Sequence, residues 1–222
     1  MSIANNLHKQ KEQLPSDVRL VAVSKFHSEA NILEAYEAGQ RVFGESRVQE
    51  LLTKYDRLPK DIEWHFIGHL QTNKVKYILP FVSLIQSVDS LKLLAEIDKQ
   101  AGLFRRIVPV LFQIHIAEEE HKFGFFPDEI EDFLTNSNWK TNFPNVSISG
   151  LMGMATFTDD TSRITLEFES LARLFRRLKD AYFPEDDRFR ELSMGMSDDY
   201  PIALKNGSTM VRVGSRIFGS RE

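Results

Sequence analysis

The stretch "RLVAVSKFHSEANILEAYEAGQ", residues 19–40, decides how the chain is read. Its first half, from Leu20 to Ser24, has apolar residues on both sides, as a strand covered on both faces must. Its second half sets Ser28 before a run with apolar residues at helical spacing, with Gly39 at the far end. That pattern predicts a helix with a serine N-cap and a glycine stop. Between strand and helix stands Lys25. A lysine closing such a strand is either a surface charge reaching for solvent or an amine held at the mouth of a pocket.

Working outward, the same strand-then-helix unit recurs. "RVFGES" (41–46) reads as a strand and "VQELLTKYDRL" (48–58) as a helix; "IEWHFIGH" (62–69) is a strand and "TNKVKYILP" (72–80) a helix stopped by Pro80. "VSLIQSVD" (82–89) is a strand before "SLKLLAEIDKQAG" (90–102), a helix with Gly102 at its end. "RIVPVLFQIHI" (106–116) is a strand, and after a charged loop Pro127 opens the helix "PDEIEDFLTNS" (127–137). "VSISGLMGMA" (146–155) precedes the long amphipathic helix "TLEFESLARLFRRLKDAYF" (165–183). "RELSMGMS" (190–197), the helix "DDYPIALKNG" (198–207) and an eighth strand "TMVRVGSRIFG" (209–219) complete the chain. With the N-terminal helix as partner of the last strand, this makes eight strand–helix units. The fold expected is α/β, a single (β/α)8 TIM barrel spanning residues 1–222, with no internal domain boundary. A doubly wound open sheet is the rival. It is weakened because no Gly-x-Gly-x-x-Gly follows the first strand and no Walker lysine motif is present.

Bulk composition narrows the class. The chain has 222 residues, 42% hydrophobic and 27% charged, which suits a globular domain with a large core. A net charge of −4 offers no broad attraction to nucleic acid or anionic membrane. No cysteine is present, which removes disulfides, thiolate metal sites and cysteine nucleophiles together. The N-terminus "MSIANNLHKQKEQLP" lacks the apolar core of a signal peptide, and no run approaches the roughly 20 apolar residues that span a bilayer. A cytoplasmic location is the expectation.

In a barrel of this kind the chemistry gathers where the strands end. Those ends carry Lys25, then Gly44-Glu45-Ser46, then His65 to His69, Gln113 and His115, Met152 to Met154, Ser193 to Ser197, and Arg212 to Ser215. "SMGMS" and "VGS" place small residues after strands seven and eight, where amide N–H groups can cradle phosphate; Ser193, Gly195, Gly214 and Ser215 are the expected cradle. Arg212 lies two residues before Gly214 and so shares its face of strand eight. A desolvated lysine is a nucleophile that forms imines with aldehydes. Lysine, phosphate cradle and arginine in one barrel point to pyridoxal phosphate. An arginine facing the pyridine nitrogen would keep that nitrogen unprotonated and the cofactor a poor electron sink.

Plainer readings stand beside these. His65 and His69, four apart on a strand end, do not share a face as they would on a helix, and no third ligand is evident, so no metal is expected. His115 reads as a half-buried histidine and Glu45 equally as a helix-cap acid. Met152, Met154, Met194 and Met196 read as barrel filling. "AEEEHK" (117–122) reads as a solvated loop, and "LARLFRRLKD" as an outer barrel helix.

Taken together, Lys25, "FGESRVQE", "WHFIGHLQTNK", "LMGMAT", "LSMGMSDDY" and "VRVGSRIFG" closely resemble the YggS/PROSC family, the pyridoxal phosphate homeostasis proteins. The resemblance runs from "VAVSK" to "IFGSR" in matching order. It implies the alanine racemase N-terminal-domain barrel, the type III fold of pyridoxal phosphate proteins, with pyridoxal 5'-phosphate held as a Schiff base on Lys25. It further implies phosphate contacts from Ser193, Gly195, Gly214 and Ser215, with Arg212 near the ring nitrogen. Lys122 to Phe125, "KFGF", matches a family loop. Two departures are visible: Ser46-Arg47 stands where the family has Asn-Tyr, which bears on one cofactor contact of Ser46, and Phe26 follows Lys25 where the family has threonine or asparagine.

Alanine racemases add a β-rich domain that supplies a catalytic tyrosine, and this sequence stops just after its eighth strand. The expectation is therefore a monomeric carrier or regulator of pyridoxal phosphate in vitamin B6 homeostasis. No catalytic residue is assigned, and the partners expected are pyridoxal phosphate and the enzymes that accept it. A weak pyridoxal phosphate-dependent amino-acid racemase and a cofactor-free Schiff-base aldolase are the enzyme alternatives.

Overall fold

The computed structural model describes residues 2–117 and 123–219. The doubly apolar stretches become eight parallel strands: β1 Arg19–Val23, β2 Val42–Glu45, β3 Glu63–Phe66, β4 Leu84–Val88, β5 Val108–Ile114, β6 Val146–Gly153, β7 Glu191–Ser193 and β8 Met210–Val213. They close into a barrel in sequence order, with β8 returning to β1 through the pairs Leu20–Val211 and Val21–Arg212. Around it run α1 Ile3–Glu12, α2 Glu29–Glu37, α3 Val48–Arg57, α4 Val75–Ile78, α5 Leu91–Leu103, α6 Pro127–Asn136, α7 Trp139–Asn142, α8 Thr161–Tyr182, α9 Tyr200–Lys205 and α10 Ser215–Phe218. The eightfold barrel read from the sequence is the fold observed.

Strand alternation sorts the core into two parts. Leu20 and Ala22, with Phe43, Trp64, Phe66 and Phe112, point outward into the layer covered by helices. Val21, Leu84, Leu111, Met152 and Met210 point inward and fill the barrel. Threaded among those apolar side chains is a buried polar chain made by His65, Gln86, Ser193 and Arg212. The helix signals act as read: Ser28 caps α2 by accepting from Asn31 N at 3.3 Å, Ser90 caps α5 in the same way, and Pro127 opens α6.

Four local readings change. The last strand ends at Val213 rather than Gly219, because residues 215–218 form α10, whose Ile217 and Phe218 amides bond Gly214 O at 2.9 Å each. The seventh strand stops at Ser193, since the chain turns at Gly195, whose φ is +95°. The long helix starts at Thr161, four residues early, because the Asp160 carboxylate accepts from Ser162 N and Arg163 N and caps it there. The helix expected over 72–80 is a 3-10 turn at Thr72–Lys74 followed by the four-residue α4. The acid run 118–122 and Lys122 of the "KFGF" motif lie outside the described residues.

Candidate functional site

A cavity of about 800 Å³ opens where the strands end. Of the residues expected to bind a cofactor, Lys25, Ser46, Arg212, Gly214 and Ser215 line it. Ser193 and Gly195 do not, and each instead holds something that does. The Ser193 hydroxyl is fully buried, donates to Gln86 Oε1 at 2.7 Å and accepts from Arg212 Nη1 at 2.6 Å. The Gly195 carbonyl accepts from Arg212 N at 2.9 Å. A Cβ at Gly195 would lie 2.7 Å from Ala203 Cβ and 2.9 Å from Tyr200 Cα, so only glycine lets α9 sit against this turn.

The guanidinium of Arg212 is clamped. Besides the Ser193 hydroxyl, it donates to Ser193 O at 2.9 Å and to Gly153 O at 3.0 Å. Burial lowers its pKa to about 10, with Asp199 opposing the fall, so it stays charged near neutrality. The polar chain continues from Ser193 through Gln86, whose Nε2 donates to His65 Nδ1 at 2.9 Å. His65 thus lies inside the barrel rather than on the rim. Burial, with Arg19 adding to it, depresses its pKa to about 3 and keeps the ring neutral. His69 does reach the rim, where its Nδ1 is 2.7 Å from Asp89 Oδ2 and its ring stacks on Phe123.

Small residues build the wall beside Arg212. The amide of Gly214 donates to Ser197 Oγ at 3.3 Å, and Arg216 Nε donates to Ser197 O at 2.5 Å, which draws the loop after β7 against the start of α10. Ser197, the last residue of "SMGMS", is therefore a wall residue that lies outside the cradle expected from the sequence. Gly68 lies against Ser46: a Cβ there would come 2.3 Å from Ser46 O. The methionines divide: Met152 fills the barrel as expected, Met194 is buried instead in the layer covered by helices, and Met154 and Met196 line the cavity. Thr156 joins the wall because the buried Glu167 of α8 accepts from both its amide (2.7 Å) and its hydroxyl (2.6 Å).

Behind Lys25 lies a charged group that composition and motif spacing do not reveal. Ser24 Oγ donates to Glu45 Oε1 at 2.6 Å. Lys54 Nζ donates to Ser24 O at 2.8 Å, to Glu45 Oε1 at 2.7 Å and to Glu50 Oε1 at 2.6 Å. Glu50 Oε1 also accepts from Phe26 N at 2.6 Å. Glu45 is thus no helix cap; burial pushes its carboxyl pKa up, while Lys54 beside it pulls the other way.

The donor set suits pyridoxal phosphate: an amine just after β1, a charged guanidinium from the neighbouring β8 and a Gly-Ser turn following it line one cavity. No group of three or more metal-ligating side chains occurs among the described residues. Residues 1–222 match the family described as the alanine racemase N-terminal domain. The pyridoxal phosphate homeostasis protein of Haemophilus influenzae is 38% identical over 216 residues, covering 96% of this chain and 89% of that protein. That of Aquifex aeolicus is also 38% identical, over 92% of this chain and 87% of its own. PipY of Synechococcus elongatus, solved with pyridoxal phosphate bound, superposes with a TM-score of 0.88 at 36% identity, over 98% of this chain and 100% of that one. Alanine racemase from Bartonella henselae shares the fold at a TM-score of 0.72 and 14% identity, over 99% of this chain and 60% of its own. The chain belongs to the alanine racemase N-terminal domain family, on the branch whose relatives are named pyridoxal phosphate homeostasis proteins.

Proposed function

We propose that this protein binds pyridoxal 5'-phosphate as a carrier or regulator of the cofactor in vitamin B6 homeostasis, with Lys25 as its covalent anchor. When bound, the cofactor supplies an aldehyde that amines capture reversibly with loss of water. The observation that carries the reading is that Lys25, Arg212, Gly214 and Ser215 line one cavity. Gly214 and Ser215 form a small-residue turn on the cavity wall suited to a phosphate, with the Gly214 amide bonded to Ser197 Oγ beside it. Arg212 is charged and immobilised by Ser193 and Gly153, so it would oppose a second positive charge on a ring nitrogen placed before it. Ser46 takes the place on the wall where the family has asparagine. Ser193 and Gly195 contribute by holding Arg212 rather than by touching the ligand.

Relatives carrying a homeostasis name rather than an enzyme name support a non-catalytic role. Cofactor-dependent enzymes that accept pyridoxal phosphate are the partners proposed, with the protein acting as a monomer in the cytoplasm. No helix among the described residues is long and apolar enough to cross a membrane. The test is the visible absorption spectrum of the purified protein with added pyridoxal phosphate, before and after borohydride, beside Lys25→Ala. A yellow band that borohydride abolishes, with the reduced adduct on Lys25 and none in the variant, is expected. No such band, or an adduct on another lysine, overturns the assignment.

A further inference from the structure

The residue after Lys25 is held in a conformation that it would not choose. Phe26 has φ +69°, the left-handed region, where a bulky side chain is strained and persists only if its surroundings impose the shape. The imposing contact is the Glu50 carboxylate on the Phe26 amide at 2.6 Å. On the other side of Lys25, the Ser24 carbonyl is held by the Lys54 ammonium at 2.8 Å and the Ser24 hydroxyl by Glu45 at 2.6 Å. Lys54 ties both carboxylates together at 2.7 and 2.6 Å, and its side chain is only 5% exposed. Two residues one helical turn apart on α3 therefore reach the peptide groups on both sides of one lysine. Charged groups buried this way are costly unless fully paired, so simple attachment of α3 to the barrel would more readily use apolar contacts.

We infer that Glu50 and Lys54, with Glu45, are positioning residues that fix the turn at Ser24–Phe26 and thereby aim the Lys25 amine into the cavity. The inference rests on Lys25 being the cofactor's anchor. It is tested on the full chain with Glu50→Ala, Glu50→Gln and Lys54→Met. The first readout needs no cofactor: hydrogen exchange of the Phe26 amide. The second is the rate at which the borohydride-sensitive band appears when pyridoxal phosphate is added.

In Glu50→Ala the Phe26 amide should exchange about tenfold faster or more, because the carboxylate that accepts its hydrogen bond is gone. Band formation should slow by about tenfold, short of the roughly hundredfold that a 1 Å misplacement can cause. Glu50→Gln, which keeps an oxygen facing Phe26 N–H, should recover part of both. Lys54→Met should slow band formation while leaving the band's final position unchanged. A folded Glu50→Ala protein with unchanged exchange and unchanged rate overturns the inference. Should Glu50→Ala or Lys54→Met fail to fold, Glu50→Gln decides: Phe26 exchange faster than wild type together with a slowed rate supports the clamp, and an unchanged exchange or an unchanged rate overturns it. If the wild-type protein gives no band, the cofactor reading fails, and the exchange comparison alone decides whether the clamp fixes this turn.

Discussion

The hydroxyl of Ser193 lies 2.6 Å from Arg212 Nη1, at the point where the buried polar chain of the barrel meets the cavity. Ser193 is out of reach of a ligand, yet it sets where the cavity's guanidinium sits. Ser193→Ala removes one acceptor from a charged group and leaves Gln86 Oε1 without its donor. A loss of about 1–3 kcal/mol is expected for a buried hydrogen bond to a charge. For a chain of this size that lowers the melting temperature by about 2–4 °C per kcal/mol. Cofactor affinity should fall as well, because Arg212 gains freedom. Melting curves and a pyridoxal phosphate titration check both, and an unchanged melting temperature would remove Ser193 from the support of Arg212.

His65 ties the same polar chain to acid stability. Its folded pKa is about 3 against an ordinary 6.5, so the folded ring stays neutral at pH values where the unfolded chain takes up a proton. The stability this provides is whole above pH 6.5 and is lost as the pH falls toward 3, at about 1.4 kcal/mol per unit. His65→Leu lacks the group and should lack that slope. Its stability deficit at pH 7 should narrow by roughly 2–3 kcal/mol between pH 6 and pH 4, measured by urea unfolding. Parallel curves for the two proteins would show that His65 is not the titrating group.

Phe26 tests the left-handed turn beside Lys25. Glycine adopts φ +69° without penalty, whereas a β-branched residue resists it more than phenylalanine does. The Phe26 ring also carries the Arg47 guanidinium 4.7 Å from its centroid, an exposed contact of about 0.5–1 kcal/mol that glycine forfeits. Phe26→Gly should therefore stay within about 1 kcal/mol of wild type, while Phe26→Val should lose about 1–3 kcal/mol. Urea midpoints give the order. A valine variant as stable as wild type would mean that the turn relaxes to an ordinary conformation.

Much of this site is legible in the sequence because strand alternation is a rule of period two. Once "LVAVSK" and "VRVGS" are read as neighbouring barrel strands, Lys25, Arg212 and Gly214 fall on the cavity side and Ser215 at its edge. The same rule misleads at both ends of its range. It carries the eighth strand through residues 215–218, because a four-residue helix leaves too little periodicity to contradict it. It places Ser193 in the cradle, although β7 stops there and the next residues turn, handing the wall to Met196 and Ser197. His65 is misplaced for a related reason: the strand end is set by where β3 meets β4, not by where the apolar run stops. Glu50 and Lys54 are illegible for another cause, since on α3 they look like any helical i, i+4 ion pair. Only the docking of α3 against β2, next to the end of β1, turns them toward Ser24 and Phe26.

Two glycines with nearly the same backbone separate strain from close packing. Gly39 at φ +89° and Gly195 at φ +95° both occupy the left-handed side of the map. Nothing lies within 4 Å of a Cβ built on Gly39, whereas one on Gly195 meets Ala203 and Tyr200 of α9 at 2.7 and 2.9 Å. Gly39→Ala should therefore show conformational strain alone, about 1 kcal/mol, with cofactor binding untouched. Gly195→Ala adds overpacking worth a further 1–3 kcal/mol or so, and relief requires α9 or the turn itself to move. The Gly195 carbonyl holds Arg212 N, and the next two residues line the cavity, so that movement reaches the site. The expected result is a larger drop in melting temperature for Gly195→Ala together with weaker pyridoxal phosphate binding. Equal melting temperatures for the two variants would mean that α9 yields freely and that Gly195 is there for its backbone conformation alone.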